Sequence, residues 1–220
     1  MPAMLADTEL LFRQARQGHA AFAAAAPFPH VLLPGMIKAN CRVALCEGLR
    51  EWRRQLATGA LQSAPYPHIT VPSVVHLLLW ELSSSTLIRH LASLSGTPPL
   101  LPDPFLHGGG PVAWTEESTE HSSAGDFFAR HPHTGLQNRL RLEIFLAEDP
   151  AATFPLELVG PGAPSTYYAV ANGSGLLVPS DNYRMVYRSR APQQWCSFIC
   201  YFYVNDQARI LNGEEQPRAY

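Results

Sequence analysis

The chain has 220 residues, 46% of them apolar and 15% charged, a balance that excludes intrinsic disorder and suffices for one hydrophobic core of ordinary domain size. A formal net charge of −2 gives no electrostatic reason to expect nucleic acid or an anionic membrane as partner. No apolar run reaches the roughly 18 residues needed to span a bilayer, and the early residues, acidic rather than basic, do not fit a secretory signal, so a cytoplasmic protein is the expectation.

In chain order, residues 7–25 predict a helix: Asp7 or Thr8 can cap it, Leu10, Leu11 and Phe12 begin an apolar stripe, and alanines favour the conformation. Pro27 ends it. Residues 30–33 are extended, and residues 37–56 predict a second helix with Val43, Leu45, Leu49 and Trp52 at helical spacing. Residues 65–72 carry three prolines and predict an extended connection. A helical hairpin follows, residues 73–82 and 85–94, with Ser83, Ser84 and Ser85 supplying the break and the next cap. Gly96, Pro98 and Pro99 end this layer.

Beyond Leu100 the chain is strand-rich, with strands expected at 112–115, 139–147, 156–159, 166–171, 175–179, 183–187 and 195–204, separated by Gly, Pro, Asn, Asp and Ser clusters. The organising stretch is 106–146. It opens on Gly108, Gly109 and Gly110 and runs through a polar, loop-like segment to Asp126. It closes in a strand whose residues alternate: Leu140, Leu142, Ile144 and Leu146 on one face, Arg139, Arg141, Glu143 and Phe145 on the other. That period predicts a half-buried strand. Helices first and strands second predict a helical layer on one side of an antiparallel barrel. The expected organisation is a single domain, with residues 1–98 as helical support, 99–205 as the β core and 206–220 as a tail.

The four cysteines, Cys41, Cys46, Cys196 and Cys200, lack the paired CxxC spacing of a zinc site. Cys196 and Cys200 share a face of the expected last strand and read as small buried thiols rather than a disulfide.

The succession Leu94-Ser95-Gly96, Leu100-Leu101-Pro102-Asp103-Pro104, Leu106-His107-Gly108-Gly109-Gly110, Asp126, His131-Pro132, Thr134-Gly135-Leu136 and Asn138-Arg139-Leu140 resembles the iron(II)- and 2-oxoglutarate-dependent oxygenases of the prolyl 4-hydroxylase type. The resemblance runs over roughly residues 28–205, led in by Pro27-Phe28-Pro29-His30. It implies a mostly β fold with N-terminal helices: a double-stranded β-helix, a jelly-roll or cupin-like barrel, flanked by a helical layer.

The chemistry that the resemblance implies departs from the family's. That family holds iron with a His-x-Asp pair and a distal His, a facial triad with open positions. Here Asp126 keeps the carboxylate, but Ala124 stands where the first His belongs and Arg184 where the distal His belongs, and no His follows His133. Trp195 stands where the family's 2-oxoglutarate-binding Arg belongs. Neither iron nor 2-oxoglutarate is therefore expected as cofactor, and no metal ligand is assigned. In their place the alignment suggests an Asp126–Arg184 salt bridge, since a buried carboxylate must find a cation or stay protonated. The alternative is that Arg184 points to solvent and Asp126 caps a turn.

The indole of Trp195 would fill the emptied dicarboxylate pocket. Tyr167, Tyr168, Tyr183, Tyr187, Tyr201 and Tyr203 would then wall a cavity suited to an uncharged organic ligand. The candidate catalytic groups are Asp126, Arg184, His121, Tyr183 and Glu143, and the candidate substrate-binding residues are Trp195, Phe145, Tyr168, Tyr201 and Tyr203. Each has a plainer reading as well: strand aromatics are usually core, the carboxylates Glu116, Glu117 and Glu120 a solvated edge, and His131 part of a turn. His121, Asp126, His131 and His133 form a local cluster, but one drawn from a single loop-like stretch.

Three functions stay open. One is a repurposed enzyme acting on a small, natural-product-like organic molecule by a metal-independent, non-oxidative step such as cyclisation, isomerisation or elimination. Another is a catalytically silent partner of an active oxygenase, in a homo- or hetero-oligomer. The last is a true hydroxylase with atypical ligands. Neither nucleic acid nor membrane is expected as a partner.

Overall fold

A computed structural model describes residues 5–57, 71–97, 99–103, 109–113, 121–122, 130–131, 134–160, 162–180, 186–188 and 195–205. The predicted N-terminal helix is two helices, α1 (Thr8–Gln17) and α2 (His19–Ala24), meeting at Gly18, the residue with least helix preference in the run. Asp7 caps α1, its Oδ1 accepting from the Leu10 N–H at 3.0 Å. The next helix starts later than predicted, as α3 (Arg42–Ala57) after a 3-10 turn at Ala39–Cys41. The predicted hairpin is present as α4 (Ser73–Leu82) and α5 (Ser85–Ser95). Ser84 caps α5 through its Oγ, and Gly96, at φ 65°, closes it in the left-handed conformation that lacks a Cβ penalty. Most of the predicted connection at 65–72 lies outside the described residues.

The strands are β1 (Val31–Leu33), β2 (Leu101–Pro102), β3 (Gly110–Ala113), β4 (His121–Ser122), β5 (Gln137–Ala147), β6 (Thr153–Val159), β7 (Thr166–Ala171), β8 (Ser174–Pro179), β9 (Val186–Arg188) and β10 (Trp195–Val204). One sheet runs β1-β8-β5-β10-β2, with β3 also paired to β10, and the other runs β4-β9-β6-β7. The antiparallel pairs nest: β6 with β7, β5 with β8, β4 with β9 and β3 with β10. From β3 to β6 successive strands alternate between sheets, and from β7 to β10 they alternate back, so one long folded-back ribbon winds helically around a shared interior. That is the double-stranded β-helix. It removes most open edges by curling the two sheets over each other.

The innermost turns show why the chain folds here. Asn172-Gly173 is a two-residue link that carries the chain from β7 in one sheet to β8 in the other, with Gly173 at φ 82°, a left-handed conformation that glycine adopts without a Cβ penalty. The Asn172 amide accepts from the Ala147 N–H and donates to the carbonyls of Ala147 and Asp149, so the crossover is clasped to the end of β5.

β5 departs from its predicted half-buried character: it is buried on both faces. Leu140, Leu142, Ile144 and Leu146 pack with Leu45, Leu49, Leu78 and Leu91 of the helices, while Phe145 and Ala147 pack toward Phe154, Leu156 and Leu158 of β6. Alternation marks two faces; here the helices cover one and the second sheet the other. Residues 30–33, read as a bare extended stretch, supply the edge strand β1, in register with β8 through Val31 and Leu177. The two-residue strands β2 and β4 were not anticipated, because strands this short carry no periodicity. β3 lies slightly before its predicted span and β6 begins before its own; the first half of the predicted strand at 183–187 lies outside the described residues.

Candidate functional site

The barrel interior is written by the odd-numbered residues of β5 and β10. Register places Arg141 beside Tyr201, Glu143 beside Ile199, Phe145 beside Ser197 and Ala147 beside Trp195. Reading along that ladder, one end of the interior is apolar and the other polar.

At the apolar end, Trp195 is 1% exposed and belongs to a closed cluster with Phe145, Phe154, Leu156, Leu158 and Val170. Phe145 and Phe154 lie with ring centroids 4.9 Å apart, and the Trp195 indole meets Phe154 edge-on at 5.3 Å. Two of the expected substrate-binding residues, Trp195 and Phe145, are thus brought together as packed core at this end.

The middle of the ladder carries a buried charge pair. Arg141 donates from Nη2 to Glu143 Oε2 at 2.7 Å, and Ser197 donates from Oγ to Glu143 Oε1 at 2.7 Å. The side chains of Arg141 and Glu143 are 5% and 1% exposed. Two charges taken out of water in this way persist only when paired and hydrogen-bonded. Of the residues expected to act, Glu143 therefore sits inside the barrel, with two partners that sequence reasoning missed. Arg141 was visible as the same-face neighbour of Glu143, but Ser197 enters only through the pairing of β5 with β10.

The far end holds Ile199, Tyr201 and Tyr203 with Leu136 against them. The Tyr203 hydroxyl donates to Asp103 Oδ2 at 3.4 Å, and His131 Nε2 lies 3.4 Å from Asp103 Oδ1. Because the Thr134 N–H donates to His131 Nδ1, the neutral ring keeps its proton on Nε2, facing Asp103. Burial, with the Asp103 carboxylate beside it, pushes the Tyr203 phenol up. The backbone of His131 also closes a turn, accepting from Gly135 and donating to Leu136. His131 is thus the turn residue of the plainer reading. Asp103 was part of the sequence pattern but had been given no role.

A further polar contact bridges the two sheets. His30 Nδ1 lies 2.8 Å from the Phe28 carbonyl, which can only accept, so Nε2 is left to accept from the Tyr168 hydroxyl at 2.6 Å. Burial lowers the imidazole's proton affinity and raises the phenol's. Tyr168 is thereby held on β7, half-buried. Its neighbour Tyr167 does not line a cavity: it is 72% exposed, on the outer face of β7, where its hydroxyl donates to Glu157. Adjacent strand residues point to opposite faces, so only one of the two tyrosines can face inward.

His121 is on β4, in register with Tyr187 of β9, rather than in a loop; the polar segment hid a strand only two residues long. Ala124, Asp126, Tyr183 and Arg184, and with them the expected Asp126–Arg184 salt bridge, lie outside the described residues. Among the described residues no group of three or more His, Cys, Asp and Glu side chains could hold a metal ion. The position that the resemblance gives to the 2-oxoglutarate-binding Arg is Trp195, and its surroundings do not fit that ligand. A dicarboxylate there would displace packed aromatic and aliphatic side chains and lie against no cation of that cluster.

No protein-family model matches the chain, and no curated protein matches it either. Solved structures do. The chain resembles a prolyl 4-hydroxylase of Phytophthora capsici with a TM-score of 0.56 and 12% identity, covering 97% of this chain and 70% of that one. It resembles an oxidoreductase of the 2OG-Fe(II) oxygenase family from Burkholderia pseudomallei with a TM-score of 0.51 and 14% identity, over 88% of this chain and 89% of the other. A Pseudomonas putida prolyl-4-hydroxylase matches with a TM-score of 0.50 and 10% identity, over 86% and 93%. At such identities the likeness is one of fold, and it is the double-stranded β-helix that the strand pairing defines. No helix among the described residues is long and apolar enough to cross a membrane.

Proposed function

We propose that this oxygenase-type double-stranded β-helix binds a small organic molecule in the polar half of its barrel and acts on it by a non-oxidative step, without iron or 2-oxoglutarate. The observation that carries the reading is the Arg141–Glu143–Ser197 cluster, buried inside the barrel beside an interior end that Trp195 and its neighbours fill. A carboxylate and a guanidinium held side by side offer a proton acceptor and a cationic hydrogen-bond donor at fixed positions. Cyclisation, isomerisation and elimination ask for those two groups. The net charge of the pair is zero, so the ligand it suits is neutral and polar rather than a dicarboxylate. Tyr201 and Tyr203, further along the same strand face, extend the wall with rings and hydroxyls.

The test is to purify the protein anaerobically with iron(II) and 2-oxoglutarate, measure bound iron and the visible charge-transfer band, and assay decarboxylation of 2-oxoglutarate. The reading expects neither bound iron nor turnover. Stoichiometric iron with the band would overturn it. Its positive arm is a thermal-shift screen of neutral organic molecules, in which a true ligand raises the midpoint of the native chain and not of Glu143→Gln.

A second reading, a silent partner subunit, is favoured by Trp80, which is 66% exposed on α4. That helix, Ser-Val-Val-His-Leu-Leu-Leu-Trp-Glu-Leu, carries apolar side chains on nearly every face, and an exposed indole on such a helix is the kind of anchor that protein interfaces use. Light scattering distinguishes the two: a monomer that still binds a small molecule supports the first reading, and an obligate complex with another chain the second.

A further inference from the structure

The β10 residues that face away from the barrel interior meet the helical layer, and there two thiols touch. Cys46 on α3 and Cys196 on β10 lie with their sulfurs 3.3 Å apart, 150 positions apart in sequence, both as free thiols. They are 0% and 3% exposed. A third cysteine, Cys200, points to the same side of β10 two pleat repeats further on and is also buried; the fourth, Cys41, is half-exposed just before α3.

We propose that Cys46 and Cys196 are a redox modification site, which a small peroxide closes to a disulfide linking α3 to β10. The contact already places the two sulfurs side by side, so the bond forms by their closing from 3.3 Å to about 2.05 Å. Polarity assigns the roles. The hydrogen bond from Cys196, and after it the charge of Arg50 one turn along α3, draw the Cys46 thiol's proton affinity down, against opposing effects of burial and Glu47. Cys196 moves the other way, raised first by the contact with Cys46 and then by burial. With Arg50 one turn along the same helix, Cys46 is assigned the attacking role and Cys196 the resolving one.

The chemistry balances. The Cys46 sulfur attacks one oxygen of hydrogen peroxide, the O–O bond breaks, and the departing hydroxide takes up the proton that Cys46 gave up and leaves as water. Cys46 is then a sulfenic acid. The Cys196 sulfur attacks the Cys46 sulfur, the S–O bond breaks, the S–S bond forms, and the second hydroxide leaves with the Cys196 proton as a second water. Two thiols and one peroxide become one disulfide and two waters. The enclosed setting selects the oxidant: a molecule little larger than water can enter as the core breathes, and a bulky disulfide or alkylating agent cannot. Cys196 lies between Trp195 and Ser197, whose side chains form the opposite, interior face of the strand, so the link would pin the wall of the barrel to the helices.

The experiment uses the full-length native chain. It is treated with hydrogen peroxide, then denatured and alkylated, and read by intact mass and by peptide mapping without reduction. Loss of two hydrogens, a single linked peptide pair containing Cys46 and Cys196, and reversal by dithiothreitol are expected. The thermal midpoint should rise by on the order of 5–10 °C on oxidation, because the link closes a loop of about 150 residues. Cys41→Ser should form the link as the native chain does, and Cys196→Ala should stop at a sulfenic acid on Cys46, trapped by dimedone. Alkylation of both Cys46 and Cys196 after peroxide treatment, or a link that involves Cys41 or Cys200 instead, would overturn the proposal.

Discussion

Replacing Glu143 by Gln tests whether the barrel interior is built on a charge pair. The Arg141 and Glu143 side chains are 5% and 1% exposed, so solvent screens their interaction little. Removing one partner of such a pair costs about 3–5 kcal/mol, most of it the desolvated charge left behind. Gln keeps the shape and one acceptor, which returns roughly one hydrogen bond, about 1 kcal/mol. The expected loss is therefore about 2–4 kcal/mol, or a urea midpoint lower by about 1–2 M at an unchanged slope. The double replacement Arg141→Met with Glu143→Leu removes both charges and should lose less than Glu143→Gln alone, because an apolar pair of similar volume needs no compensation. Glu143→Ala adds a further arm. It opens a space lined by the Arg141 guanidinium and the Ser197 hydroxyl, so acetate should restore part of its midpoint and acetamide should not. A Glu143→Gln protein within about 1 kcal/mol of the native chain would refute the reasoning, since no buried pair of the kind described could then be present.

Other outcomes follow from the same structure. Trp195→Ala should destabilise by about 3–5 kcal/mol, measured by urea unfolding, because the indole sits in a closed cluster that cannot collapse around the space; a loss below about 1 kcal/mol would mean that the end of the barrel is open. His30 has its folded-state proton affinity lowered, chiefly by burial, so its contribution to stability is whole above the unfolded value of about 6.5 and is lost as pH falls from there through the folded value. His30→Gln should flatten the fall in urea midpoint over that window, and an identical pH slope in the variant would contradict the assignment. Gly173→Ala should cost more than about 1 kcal/mol in the same assay, since φ is 82° and an added Cβ would lie 2.3 Å from Arg42 Nε; a neutral result would show that the crossover relaxes freely.

Local pattern was enough for much of the fold. The spans 166–171 and 195–204 were readable to the residue, because runs rich in β-branched and aromatic residues between turn formers favour strand. The α4–α5 hairpin was readable because serines break it and Gly96 ends it. The alternation of β5 announced two unlike faces, and the order of residues from Leu94 to Leu146 pointed to an oxygenase-type barrel. Glu143 was picked out as a candidate catalytic carboxylate on the face opposite the leucines, and Trp195 as a bulky group in the place of a cation.

What the chain could not disclose by itself is which residues meet across distance. Whether a strand is covered on one side or two depends on elements far away in sequence, so β5 read as half-buried although both its faces are enclosed. Strands as short as β2 and β4 have no period to recognise and exist only because a partner strand supplies their hydrogen bonds. The pairing of Glu143 with Ser197, of Asp103 with His131 and Tyr203, of His30 with Tyr168 and of Cys46 with Cys196 each joins residues separated by tens to more than a hundred positions. Composition and periodicity determine which side chains are available and which face of an element they share. Register between strands, and the docking of helices on them, decide which of those side chains touch, and the chemistry of this barrel lies in those contacts.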